Sequence, residues 1–159
     1  MQRVNYKDII FVVLQLLLFA LFFFSFRLSI AVAAKPLIFL GYLIAITGVL
    51  IIAIAVLQLK KNLTIFPTPV ANGGLVTSGV YAIVRHPLYT GILSICFGVS
   101  IVRQDFLQCL FSVCILILFV IKSDYEEKLL EEKFTAYKNY KTSTGKLFPN
   151  FFNRNVKTL

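Results

Sequence analysis

Four apolar runs, separated by short polar breaks and one long loop, organise the chain. Ile9–Phe26 holds eighteen residues with one Gln and no charge, and Pro36–Leu59 holds twenty-four with no charge. Pro87–Val102 and Phe106–Ile121 hold sixteen each. A membrane-spanning helix needs about 20 apolar residues, with a range of about 17–25. The first two runs meet that length. The last two are short and are separated only by Arg103-Gln104-Asp105. This predicts a tight helical hairpin, because one long buried helix would leave Arg103 and Asp105 in hydrocarbon. The pattern therefore predicts an all-α integral membrane fold. It has about four transmembrane helices, a C-terminal helical hairpin and a cytoplasmic amphipathic tail helix, in a single membrane domain over residues 1–159. A cleaved signal peptide is the alternative for the first run, with Ala31-Val32-Ala33-Ala34 as small residues for cleavage, but the run is long for such a segment.

Two polar stretches complete the plan. The connection Lys60–His86 is 27 residues long and contains Phe66-Pro67-Thr68-Pro69 and Asn72-Gly73-Gly74. Loops of that length tend to carry function. The tail begins at Lys122. Leu130, Phe134 and Tyr137 recur at helical spacing, flanked by Leu129 and Tyr140, against a Lys/Glu face. The expected tail helix continues from the fourth run, lies along the membrane surface and ends at Gly145 and Pro149.

Composition agrees with a membrane protein. Hydrophobic residues make up 58% of the chain and charged residues 14%, against about 25% charged in soluble domains. Sixteen Lys and Arg face seven Asp and Glu. With four spans, thirteen of the sixteen basic residues fall on one side, which the positive-inside rule assigns to the cytoplasm together with both termini. Bacterial inner membrane and endoplasmic reticulum both suit this reading. The excess charge is thus read as a basic face against anionic lipid and not as a nucleic-acid surface. Cys96, Cys109 and Cys114 lie within apolar runs, and one histidine completes the set, so neither a disulfide framework nor a metal site is expected.

Candidate chemistry gathers in two places. One is Gly79–Gly91, containing Tyr81, Arg85, His86, Pro87, Tyr89 and Thr90. Pro87 suits the first position of a helix and His86 its cap. The free N–H groups of that first turn favour an anion, Arg85 adds positive charge, and Gly91 allows a close approach by a backbone or a ligand. The other is Lys122–Glu127, with Lys122 and Glu126 on one helix face. Arg and Tyr also belong at any membrane interface, and a Lys–Glu pair can be merely solvated. The predicted hairpin brings the two clusters together, so that a cationic helix start faces a carboxylate-rich helix end. Such a site suits a ligand with both a negative and a positive group.

The stretch Gly74-Leu75-Val76-Thr77-Ser78-Gly79-Val80-Tyr81-Ala82-Ile83-Val84-Arg85-His86-Pro87-Leu88-Tyr89-Thr90-Gly91 closely resembles the signature of the isoprenylcysteine carboxyl methyltransferase family. Glu126-Glu127, Leu130, Phe134, Tyr137-Lys138-Asn139-Tyr140 and Leu147-Phe148-Pro149 resemble its second signature. The wider group includes phospholipid N-methyltransferases and, more distantly, membrane sterol reductases. The resemblance implies S-adenosylmethionine as methyl donor, held by Gly73, Gly74, Leu75, Val76, Tyr81, His86, Pro87, Leu88, Tyr89, Glu126 and Glu127. Arg85, Lys122 and Glu126 are the candidates for positioning or polarising the substrate, and the resemblance places Lys122 where the family has an Arg that contacts the substrate. It also implies a prenylated or otherwise amphipathic acceptor entering from the bilayer, its carboxylate being the methyl acceptor. The alternatives are N-methylation of a phospholipid headgroup, an NADPH-dependent membrane reductase, and a non-enzymatic membrane anchor or assembly protein. The reductase would call for more basic residues around the socket.

Overall fold

A computed structural model describes residues 5–28 and 35–150 of the chain. The possible cleavage residues 31–34 lie outside them.

Helix α1, Tyr6–Phe24, starts at Asn5, whose side chain accepts from the Lys7 N–H while Asp8 reaches back to the Asn5 N–H. This reciprocal capping satisfies backbone donors that a helix start leaves open. Along α1, Asp8, Phe11, Gln15, Leu18 and Phe22 fall at alternating three- and four-residue steps and form the inward stripe, whereas Leu16, Leu17 and Phe24 point out. Helix α2, Lys35–Leu59, likewise buries only a narrow line at Gly41, Gly48 and Ala55.

Helix α3, Pro87–Arg103, packs antiparallel on α2 at very short range. A Cβ at Gly48 would stand 2.6 Å from the Gly91 carbonyl oxygen, and one at Gly98 would stand 2.6 Å from that of Gly41. Two glycine pairs, seven residues apart on each helix, thus let the backbones touch. Of the two partners the sequence allows for Gly91, the one present is another backbone.

The predicted hairpin is realised. Gln104 turns in the left-handed region at φ 52°, and Asp105 caps α4 by accepting from the Leu107 and Gln108 N–H groups. Helix α4, Phe106–Lys133, then runs 28 residues without interruption. The described residues thus contain three helices long and apolar enough to cross a membrane, α1, α2 and α4, beside the shorter apolar α3. Phe22, Leu93, Cys96, Ile115, Phe119 and Leu147 form the core, drawn from α1, α3, α4 and the tail.

The tail departs from the expected single amphipathic helix. Phe134 leaves helical geometry at ψ 111°, and a separate helix α5, Tyr137–Ser143, follows. The face Leu130–Phe134–Tyr137 lines a cleft. It turns inward, with Tyr137 only 1% exposed. The apolar stripe packs against the protein itself. Gly145 does not simply end a helix either. Its N–H donates to the Ile83 carbonyl and its own carbonyl accepts from the Arg85 N–H at 2.8 Å, so the tail pairs with the segment leading into α3.

Candidate active site

The start of α3, the last turns of α4 and helix α5 converge with the 60–86 loop around a cleft of about 820 Å³, counting its open mouth. Pro87 at the first position fixes the start of α3 and His86 caps it. The N–H groups of that turn are oriented toward an anion, as at any helix start.

Glu126 is the acidic residue among those lining the cleft. Its Oε2 accepts from the Tyr89 hydroxyl at 2.8 Å and lies 3.7 Å from His86 Nδ1. The rings of His86 and Tyr89 stack in nearly parallel planes with centroids 5.3 Å apart, and Tyr89 stacks in turn on Phe119 at 4.5 Å. Two aromatic contacts and one hydrogen bond therefore hold the carboxylate in one place.

Behind it lies Glu127, 2% exposed. Its Oε1 accepts from Arg85 Nε at 2.8 Å and sits 3.3 Å from His86 Nε2, while Lys141 Nζ is 3.1 Å from Oε2. Burial works against this carboxylate, but hydrogen bonds from His86 and Arg85 and the charge of Arg85 prevail and hold its pKa down at about 2. Arg85 also donates Nη1 to the carbonyls of Lys141 and Thr144. It is thereby committed to the protein on several sides.

Phenols close the other wall. Burial and the Glu126 charge push Tyr81 well above the usual tyrosine range, and burial pushes Tyr140 up to about 12. Both remain protonated donors, and the Tyr140 hydroxyl donates to the Tyr81 carbonyl. Tyr137 stands edge-on to Tyr140, and its buried hydroxyl has no hydrogen-bond partner among the described residues.

The loop is pinned at several points. The Asn62 side chain accepts from the Gly74 N–H at 3.1 Å and donates to the Gly74 carbonyl at 3.0 Å. Lys133 donates to the carbonyls of Val70 and Ala71. Gln58 of α2 accepts from the Val80 N–H and packs where a Cβ on Gly79, at φ 63°, would fall. The sequence reading missed Asn62, Lys133, Lys141 and Gln58. Only Asn62, beside a Gly-rich loop, carried a local signal.

Of the predicted site residues, those from Gly73 to Tyr89 line the cleft, and so does Glu126. Lys122 and Glu127 do not. Lys122 is buried beside the cleft, donating to Gln15 Oε1 at 2.7 Å and to the Ile65 carbonyl at 3.3 Å, with its ammonium 5.4 Å from the Tyr89 ring centre. Among the described residues no group of three or more His, Cys, Asp or Glu is placed to hold a metal.

Comparison with known proteins bears directly on this geometry. A family model described as phospholipid methyltransferase matches residues 36–137. That segment runs from α2 to the first residue of α5 and contains the whole predicted site. The chain belongs to the phospholipid methyltransferase family. Within this family member, the matched segment carries the glycine-paired helices, the pinned loop and Glu126, while α1 lies outside it. The fold is similar to the solved structure of a eukaryotic intramembrane Ras methyltransferase, isoprenylcysteine carboxyl methyltransferase, with TM-score 0.67 and 23% identity. The match covers 98% of this chain and 56% of that one, so the chain spans little more than half the length of that protein. A search of curated protein sequences finds no match.

Proposed function

We propose that the protein is an integral membrane methyltransferase that binds S-adenosylmethionine in the cleft and methylates a lipid-like acceptor. The observation that carries this reading is the fixed Glu126 carboxylate, held by Tyr89 and His86 beside the open N–H groups of the α3 start. The donor has a carboxylate, an ammonium, a sulfonium and ribose hydroxyls. The α3 start would take the carboxylate, Glu126 the ammonium or the ribose, and the Gly73–Val76 backbone with Tyr81 the flat adenosine. The chemistry of the lining fits that group. When bound, it supplies an electrophilic methyl group.

The protein's own contribution is alignment and exclusion of water. Glu127 and Arg85 neutralise each other behind the wall, so the carboxylate available to a ligand is Glu126. The acceptor is proposed to be the carboxylate of an isoprenylcysteine-like lipid, which is already a nucleophile and needs no base. The family description favours a second reading, a phospholipid headgroup amine, which must lose a proton to Glu126 or a neighbouring group. Arg85 and Lys122 are engaged with protein partners, so their charges do not choose between the two. The site end of the bundle, with both termini, is proposed to face the cytoplasm.

Calorimetry of S-adenosylmethionine binding to detergent-purified protein tests the reading, with Glu126→Ala alongside. Saturable binding that is lost in the variant is expected. A well-folded protein without donor affinity would leave a membrane anchor or assembly role in its place. Labelled methyl groups offered to prenylcysteine and to phospholipid acceptors separate the two substrates.

A further inference from the structure

Helix α1 lies outside the segment matched by the family model, yet it carries two polar side chains on its inward stripe. Asp8 and Gln15 are seven residues apart, two helical turns, and so share a face. Asp8 reaches the loop that walls the cleft directly, and Gln15 reaches it through Lys122. Asp8, with 0% exposure, accepts on Oδ2 from the Thr68 hydroxyl as well as from the Asn5 N–H. Gln15 holds Lys122 Nζ at 2.7 Å, and the same ammonium donates to the Ile65 carbonyl at 3.3 Å. Phe11 stacks on Tyr125 of α4 between them, with ring centres 5.6 Å apart.

Capping accounts for the bond from the Asn5 N–H to Asp8, but not for the bond from the Thr68 hydroxyl or for the Gln15–Lys122 contact. Asn5 and Asp8 cap α1 together, and Asp8 Oδ1 is buried with no hydrogen-bond partner among the described residues. Lys122 has no carboxylate within ion-pair distance among the described residues; its two recorded acceptors are neutral and belong to α1 and to the loop. Thr68 and Ile65 lie on the loop between Thr64 and Val76, both of which line the cleft.

We propose that Asp8 and Gln15 are positioning residues of the site. Asp8 acts through Thr68, and Gln15 acts through Lys122 on Ile65, so that α1 fixes the loop wall against which the donor binds. The inference rests on the cleft being the donor site. It makes α1 a working part of the site and gives Lys122 the role of a strut.

The test is hydrogen–deuterium exchange of the full-length protein in detergent, paired with S-adenosylmethionine affinity. Thr68→Val removes the hydroxyl and keeps the shape; Thr68→Ser restores the hydroxyl; Asp8→Asn removes the charge on the α1 side. Thr68→Val and Asp8→Asn should speed exchange over residues 64–76 several-fold and leave the α2–α3 pair unchanged. They should weaken donor binding about five- to tenfold, as the loss of one hydrogen bond would. Thr68→Ser should bring both readouts back. Unchanged loop exchange in both variants overturns the proposal, as does a loosened loop with wild-type donor affinity. Should the wild-type protein bind no donor, the methyltransferase reading falls, and the exchange data still decide whether α1 holds the loop.

Discussion

Arg85 and Glu127 meet at 2.8 Å between Nε and Oε1, with side-chain exposures of 7% and 2%. They are 42 residues apart in sequence and lie on the segment before α3 and on α4. Their contact joins the two arms of the hairpin at the site end, together with His86–Glu127 and Tyr89–Glu126. Breaking a buried pair by removing one partner costs about 3–5 kcal/mol, because the other charge is left uncompensated. Glu127→Ala should therefore lower the unfolding midpoint in detergent strongly. A mere loss of donor affinity at unchanged stability would contradict the structural role given to this residue.

The same carboxylate sets an acid limit. Its pKa in the folded protein lies at about 2, below the usual 4.5. The stabilisation is therefore complete above about 4.5 and is lost as pH falls through the interval down to about 2. A drop of about 3 kcal/mol is expected across that window. Thermal unfolding between pH 6 and pH 2 reads it. Glu127→Gln, which does not titrate, should remove this portion of the pH dependence.

Tyr89 contributes one hydroxyl to Glu126 and its ring to the stack between His86 and Phe119. Tyr89→Phe keeps the ring and deletes the hydrogen bond. Donor affinity should fall about tenfold, since bonds to charged groups are worth about 1.5–3 kcal/mol at most. The unfolding midpoint should move little. Equal donor affinity in the variant would argue that Glu126 needs no orientation.

The α2–α3 contact leaves no room for a Cβ at Gly48, Gly91 or Gly98. A Cβ at Gly91 would approach the Gly48 carbonyl oxygen to 2.8 Å and the Ile52 Cγ1 to 2.5 Å. Gly91→Val and Gly48→Val should each destabilise the protein by about 1–3 kcal/mol or more, through overpacking against backbone. Gly74→Ala is the control: a Cβ there meets nothing within 4 Å. Detergent unfolding of the three variants measures the difference.

Local pattern determined a good deal of this protein. The apolar runs specify helices because a backbone in hydrocarbon must satisfy its own hydrogen bonds. Pro87 after His86 specifies where α3 starts, and Arg103-Gln104-Asp105 specifies the turn into α4. With that turn read, the meeting of the 81–89 and 122–127 segments followed, since an antiparallel hairpin returns to its own beginning. The roles within the meeting did not follow. Glu126 and Glu127 are adjacent, yet one faces the cleft and the other is buried against Arg85, His86 and Lys141. Successive residues on a helix point about 100° apart, and only the position of the neighbouring elements decides which direction is open. The tail's inward turn at Phe134 and the reach of Asp8 to Thr68, sixty residues away, are likewise invisible locally. An apolar stripe states that it needs a partner; lipid and protein satisfy it equally until the tertiary fold supplies one.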